Sequence, residues 1–194
     1  MRIRRPIATG ADWALVRLAS GEYLCVDTTT FEALGYMLGW EHEADVIRVF
    51  RTFLTHQSVV LDIGANFGLY TALSASIVRN HGRLYAFEGN PAVFDCLQRT
   101  IVANRLYFNP NIVAANVLVS NETGRGVLHY SAHLMAGGTM SGVESPEGTL
   151  PVNPPCVMDG GMVTLTEGAL LSELTLCALQ WSGANTQMAK PKER

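Results

Sequence analysis

The segment Ser58–Tyr70, SVVLDIGANFGLY, constrains this chain of 194 residues more than any other. Val59, Val60, Leu61 and Ile63 make the near-continuous apolar run of a strand covered on both faces. Gly64 and Gly68 follow, and glycine lets the backbone turn and approach a ligand where a Cβ would clash. Leu69, Leu73, Ile77 and Val78 then recur near a helical face, so the segment predicts a strand, a glycine turn and a helix. The first N–H groups of such a helix have no partner within it and would point back at whatever sits on the turn. This is the geometry of a nucleotide-type cofactor site.

A dinucleotide loop needs G-x-G-x-x-G for close approach to a pyrophosphate, and Asn66 stands at the middle glycine position. The loop suits a ligand without phosphate, with Asp62 offered to a cationic group and backbone N–H groups offered to a carboxylate. S-adenosylmethionine carries both groups. A second strand, Arg83–Phe87, ends in Glu88, an acid placed to accept hydrogen bonds from ribose hydroxyls. Asn90 and Pro91 then read as the cap and first position of a second helix, whose apolar face is Phe94, Leu97, Ile101 and Val102.

With these residues in view, the chain resembles the FkbM-type S-adenosylmethionine-dependent methyltransferase family. The D-x-G-A-N-x-G-x-Y pattern of that family is carried by Asp62, Gly64, Ala65, Asn66, Gly68 and Tyr70, and its F-E-x-N-P pattern by Phe87, Glu88, Asn90 and Pro91. The resemblance spans roughly Gly21 to Gly142. It implies cofactor contacts at Asp62, Gly64, Ala65, Asn66, Gly68 and Glu88, with Asn116 and Val117 beside the adenine. Leu118 and Asn121 stand where the family tends to have alanine and aspartate. The implied chemistry is methyl transfer from a sulfonium to a hydroxyl oxygen of a sugar, lipid or secondary metabolite, an in-line displacement in which positioning supplies much of the acceleration.

The expected fold is α/β, a Rossmann-like methyltransferase fold with about four parallel strands in the order 3-2-1-4. Residues 1–57 would form a hairpin around Ser20-Gly21 and helices near Phe31–Leu38 and Ala44–Leu54, leading into a core over 58–194. Ile112–Val119 is expected as the third strand and Gly126–Ser131 as a short strand after it. Between Met135 and Gly161 glycine and proline dominate, which predicts a long loop or lid. Leu176–Asn185 is the candidate fourth strand. Aligned on Gly183-Ala184 with the family's L-I-K-I-D-V-E-G-A-E, it has the neutral Ala178, Gln180, Ser182 and Asn185 at the charged positions. The fold therefore reads as shortened at its C-terminal end, with a homodimer as one way to cover the open sheet edge.

Hydrophobic residues make up 48% of the chain and charged residues 16%, enough for a packed core. The net charge of -3 gives no electrostatic case for nucleic acid or an anionic membrane, so neither partner is expected. Cys25, Cys96, Cys156 and Cys177 lie far apart and read as reduced core residues. No run has the length of a membrane span, a cytoplasmic location is expected, and no metal constellation is visible. The five histidines mark no dyad with a carboxylate; His133 is the candidate base only by its place beside the glycine-rich segment. Two other readings stay open, a cofactor-binding remnant without catalysis and, weaker, a NAD-dependent oxidoreductase.

Overall fold

A computed structural model describes residues 6–39, 44–78, 81–120, 124–131, 134–141, 156–164 and 174–179. The centre is a four-stranded parallel sheet. Its members are β4 (Val59–Ile63), β5 (Arg83–Phe87), β6 (Ile112–Ala115) and β11 (Leu174–Leu179), in the order β11-β4-β5-β6. This is the 3-2-1-4 order expected from sequence. β11 runs parallel to β4 with Ala178 opposite Asp62, so the fourth strand forms although its motif charges are absent. Gln180, Ser182 and Asn185 lie outside the described residues.

Strands β1 (Ala8–Thr9), β2 (Trp13–Arg17) and β3 (Tyr23–Asp27) make an antiparallel sheet before the core, and α1 (Phe31–Met37) and α2 (Ala44–Phe53) follow it. This hairpin is more than a leading appendage. Val16, Leu24, Val26 and Cys25 share a buried cluster with Phe67, Leu69 and Leu73 near the glycine turn and with Val93 and Cys96 of the second core helix. Helix α3 (Leu69–Val78) is thus covered on two sides, by the hairpin through Leu69 and Leu73 and by β4, β5 and α2 through Tyr70, Ala75 and Val78. Sequence periodicity gives it one apolar face; double coverage explains why nearly the whole helix is buried. Tyr70 belongs to this packing, meeting the ring of Phe50 edge-on at 5.0 Å.

Helix α4 (Pro91–Ala103) starts as expected, with the Asn90 side chain accepting from the Ala92 N–H at 3.0 Å and Pro91 in the first turn. Its far end clips the free edge of β3. Asn104 both accepts from the Tyr23 N–H and donates to the Tyr23 carbonyl, imitating a strand neighbour. The Thr100 hydroxyl accepts from the Cys25 N–H at 2.9 Å and donates to the Phe67 carbonyl at 2.7 Å. An edge that would otherwise expose unpaired donors is thereby satisfied. Cys25 and Cys96 are free thiols buried in the same cluster.

Two expectations are corrected. The third strand is not continuous over Ile112–Val119: it stops at Ala115, and Leu118–Ser120 restarts as β7 in a different sheet. That second sheet has the order β7-β10-β8-β9 and contains β8 (Gly124–Ser131), β9 (Leu134–Ser141) and β10 (Cys156–Thr164). Both ends of the supposed loop over 135–161 are therefore strands, and only its middle, 142–155, lies outside the described residues. Glycine-rich strands such as MAGGTM carry little side-chain periodicity, so ladder pairing, with Leu128 opposite Met140 and His129 opposite Thr139, decides their conformation where composition argues for a turn.

Thr100→Val should destabilise the chain by about 2–4 kcal/mol, because removing one hydroxyl leaves two buried backbone groups unpaired. Urea unfolding followed by circular dichroism measures this.

Candidate cofactor site

The glycine turn lies at the C-terminal ends of β4 and β5, where open α/β sheets take their ligands. Gly64, Asn66 and Gly68 all adopt left-handed backbone, with φ of 70°, 49° and 92°. Gly68 is also required by space, since a Cβ there would lie 2.6 Å from the Leu97 side chain of α4. The turn is closed from within. The N–H groups of Gly64 and Ala65 both donate to the Phe87 carbonyl at 2.9 Å, the Asn66 N–H donates to Glu88 Oε2 at 2.9 Å, and the Gly68 N–H donates to the Ala65 carbonyl. The expectation that these N–H groups wait for a ligand carboxylate is corrected: they bind β5 to the turn, and the turn's contribution is shape.

Glu88 stands at the junction. Its Oε1 accepts from the Asn90 N–H at 2.8 Å, its carbonyl accepts from Asn116 Nδ2 at 2.7 Å, and its N–H donates to the Ala115 carbonyl. Burial pushes its carboxyl above the ordinary range, held back by the N–H groups of Asn90, Asn66 and Gly89. With three backbone donors on about four lone-pair sites, the carboxylate keeps one further acceptor position. Gly89 follows, and a Cβ at that point would lie 2.2 Å from Leu118, the first residue of β7. The second sheet therefore begins against this turn.

Asp62 is 1% exposed. Its Oδ2 accepts from the Thr71 hydroxyl, while its Oδ1 and Asn66 Oδ1 are buried without a hydrogen-bond partner. Burial, countered by the Thr71 hydrogen bonds and reinforced by the charge of Glu88, pushes the Asp62 carboxyl up to about 7. Two orphaned acceptor oxygens in one turn are an unusual cost for a folded chain, and a donor or cation from a ligand would offset it.

The sequence candidates thus fall into one neighbourhood. Asp62, Asn66 and Glu88 supply the acceptors, and Gly64, Ala65 and Gly68 form the turn. Asn116 is tied to Glu88 through its amide, and Val117 lies half-buried in the link between β6 and β7. Thr71 was not foreseen. The only signal for it is a hydroxyl nine residues after Asp62 within an otherwise apolar helix start. His56 and His81 precede β4 and β5 and so sit at the opposite end of the sheet, and the side chains of His42, His129 and His133 lie outside the described residues. Among the described residues no group of three or more His, Cys, Asp or Glu could hold a metal, and no helix is long and apolar enough to cross a membrane.

Neither a family model nor a curated protein matches this chain. Solved structures do. They include TYW2 of P. horikoshii in complex with MeSAdo, at 14% identity over 58% of this chain and 38% of that one, with a TM-score of 0.43. TYW2 of M. jannaschii in complex with AdoMet is 16% identical over 64% of each chain, with a TM-score of 0.41. The aTrm5–tRNALeu complex is 17% identical over 59% of this chain and 34% of that one, with a TM-score of 0.39. The chain spans less than two thirds of the length of each. One of these proteins is bound to tRNA.

The raised Asp62 pKa fixes a sign. The native state keeps a proton that the unfolded chain, near 3.8, has lost, so the contribution of Asp62 to stability is full below about pH 4 and is lost as pH rises to about 7. Glu88 acts in the same direction. Asp62→Asn should flatten the fall in stability over that window, measured by urea unfolding at stepped pH.

Proposed function

We propose that this chain is an S-adenosylmethionine-dependent methyltransferase that transfers a methyl group to a hydroxyl oxygen of a sugar, lipid or secondary metabolite, as its likeness to the FkbM-type family implies. The observation that carries the reading is Asp62: a buried carboxylate with one oxygen held by Thr71 and the other unpartnered, beside Glu88 at the ligand-binding end of a parallel sheet. A cationic group of the ligand answers that orphaned oxygen. Glu88 receives a ribose hydroxyl on its remaining acceptor position, Asn66 Oδ1 accepts from the methionine portion, and Asn116 and Val117 border the base. Gly64, Ala65 and Gly68 keep the turn low enough for the ligand to lie across it.

The bound cofactor supplies a methyl group on a sulfonium; the residues here hold and orient it and keep water from the amino-acid end. Because the Gly64, Ala65 and Asn66 N–H groups already have protein acceptors, a pyrophosphate finds no cradle in the turn, which counts against a NAD-dependent reading. The neutral Gln180, Ser182 and Asn185 favour a second reading, a remnant that binds the cofactor without catalysis.

Titration calorimetry should give micromolar binding of S-adenosylmethionine and S-adenosylhomocysteine, weakened about tenfold or more by Asp62→Ala and by Glu88→Ala, the scale of one lost hydrogen bond to a charged group. Absence of binding to the folded chain sinks the reading. Binding without methyl transfer to any of a panel of hydroxyl compounds or to RNA selects the remnant, and labelled methyl appearing in RNA overturns the small hydroxyl acceptor.

A further inference from the structure

Thr71 lies in the first turn of α3 and is fully buried. A threonine hydroxyl inside a helix ordinarily turns back to the carbonyl three or four residues before it. Each of those carbonyls already has a donor here. The Phe67 carbonyl accepts from the Thr100 hydroxyl, and the Gly68 carbonyl accepts from the Ala72 N–H. The Thr71 hydroxyl goes instead to Asp62 Oδ2. Its place depends on Gly68, whose left-handed backbone starts the helix and whose missing side chain lets α4 come close. A β-branched side chain with few rotamers makes this a rigid prop.

We infer that Thr71 is a positioning residue: its hydroxyl fixes the Asp62 carboxylate so that Oδ1, the oxygen without a partner, is the one presented to a cationic ligand group. The inference rests on the cofactor reading above and adds a residue outside the resemblance motif. The hydrogen bond also favours the charged form of Asp62 against burial and against Glu88, the one other charged group acting on Asp62 among the described residues. Thr71 therefore sets both the direction and the charge of the acid. Without the hydroxyl, the carboxylate keeps only the backbone N–H of residue 71 as a donor and holds its proton to higher pH.

The test uses the full chain with Thr71→Val, which keeps shape and removes the hydroxyl, and Thr71→Ser, which keeps the hydroxyl. Carbon-13 labelling of aspartate, assigned with Asp62→Asn, follows the Asp62 carboxyl in the ligand-free protein. Thr71→Val should raise its midpoint by about one unit and Thr71→Ser should leave it near the parent value; at pH 7 Thr71→Val should bind S-adenosylmethionine about tenfold more weakly, recovering at higher pH. An unmoved midpoint in Thr71→Val, or an equal displacement in Thr71→Ser, overturns the inference, since a merely structural threonine would alter stability without that pattern. If Thr71→Val does not fold, Thr71→Ala gives the same readout with less bulk. Should the parent chain bind no S-adenosylmethionine while the midpoint moves as expected, the cofactor reading fails and the coupling of Thr71 to Asp62 stands.

Discussion

The Glu88 carboxylate is the constraint on which the candidate site depends. It accepts the Asn66 N–H from the turn after β4 and the Asn90 N–H at the cap of α4, so one acid joins both strand-to-helix units. Without it, two buried backbone donors lose their acceptor, and the left-handed Asn66 loses the hydrogen bond that offsets its strained conformation. The Phe87 carbonyl reinforces the joint by taking the Gly64 and Ala65 N–H groups. The turn therefore holds its shape before any ligand arrives.

A turn closed on itself by these bonds leaves its side chains to do the recognition. Asp62 and Asn66 each retain an unpartnered acceptor, and Glu88 retains one acceptor position; every group offered is an acceptor, which suits a ligand rich in N–H and O–H groups and of positive charge. The same arrangement makes the site costly to hold empty, since burial raises the preference of both acids for a proton and the charge of Glu88 raises that of Asp62 further. Stability and recognition pull against each other at these two acids, as functional sites commonly require.

Much of this was legible in the sequence where one residue type has one physical job. The apolar run of β4, the left-handed glycines and the Asn90-Pro91 cap each announce a conformation that few other residues supply, and the order of the parallel sheet is what the family resemblance carried by these segments implies. What escaped depends on partners far away in sequence. No local pattern shows that Phe87 would consume the turn's N–H groups, that Thr100 and Asn104 would clip β3, or that Thr71 would turn to Asp62. The glycine-rich strands β9 and β10 escaped for a related reason: their ladder forms with β8, while their own composition argues for turns.

The break between β6 and β7 gives Gly89 its meaning. Leu118, which opens the second sheet, rests where a side chain at position 89 would lie, so the two sheets meet across the width of one missing methyl group. Any residue larger than glycine would require the Leu118 side chain to move. A side chain at position 89 and the placement of Leu118 therefore cannot be chosen independently, although one belongs to the end of the parallel sheet and the other opens the second sheet.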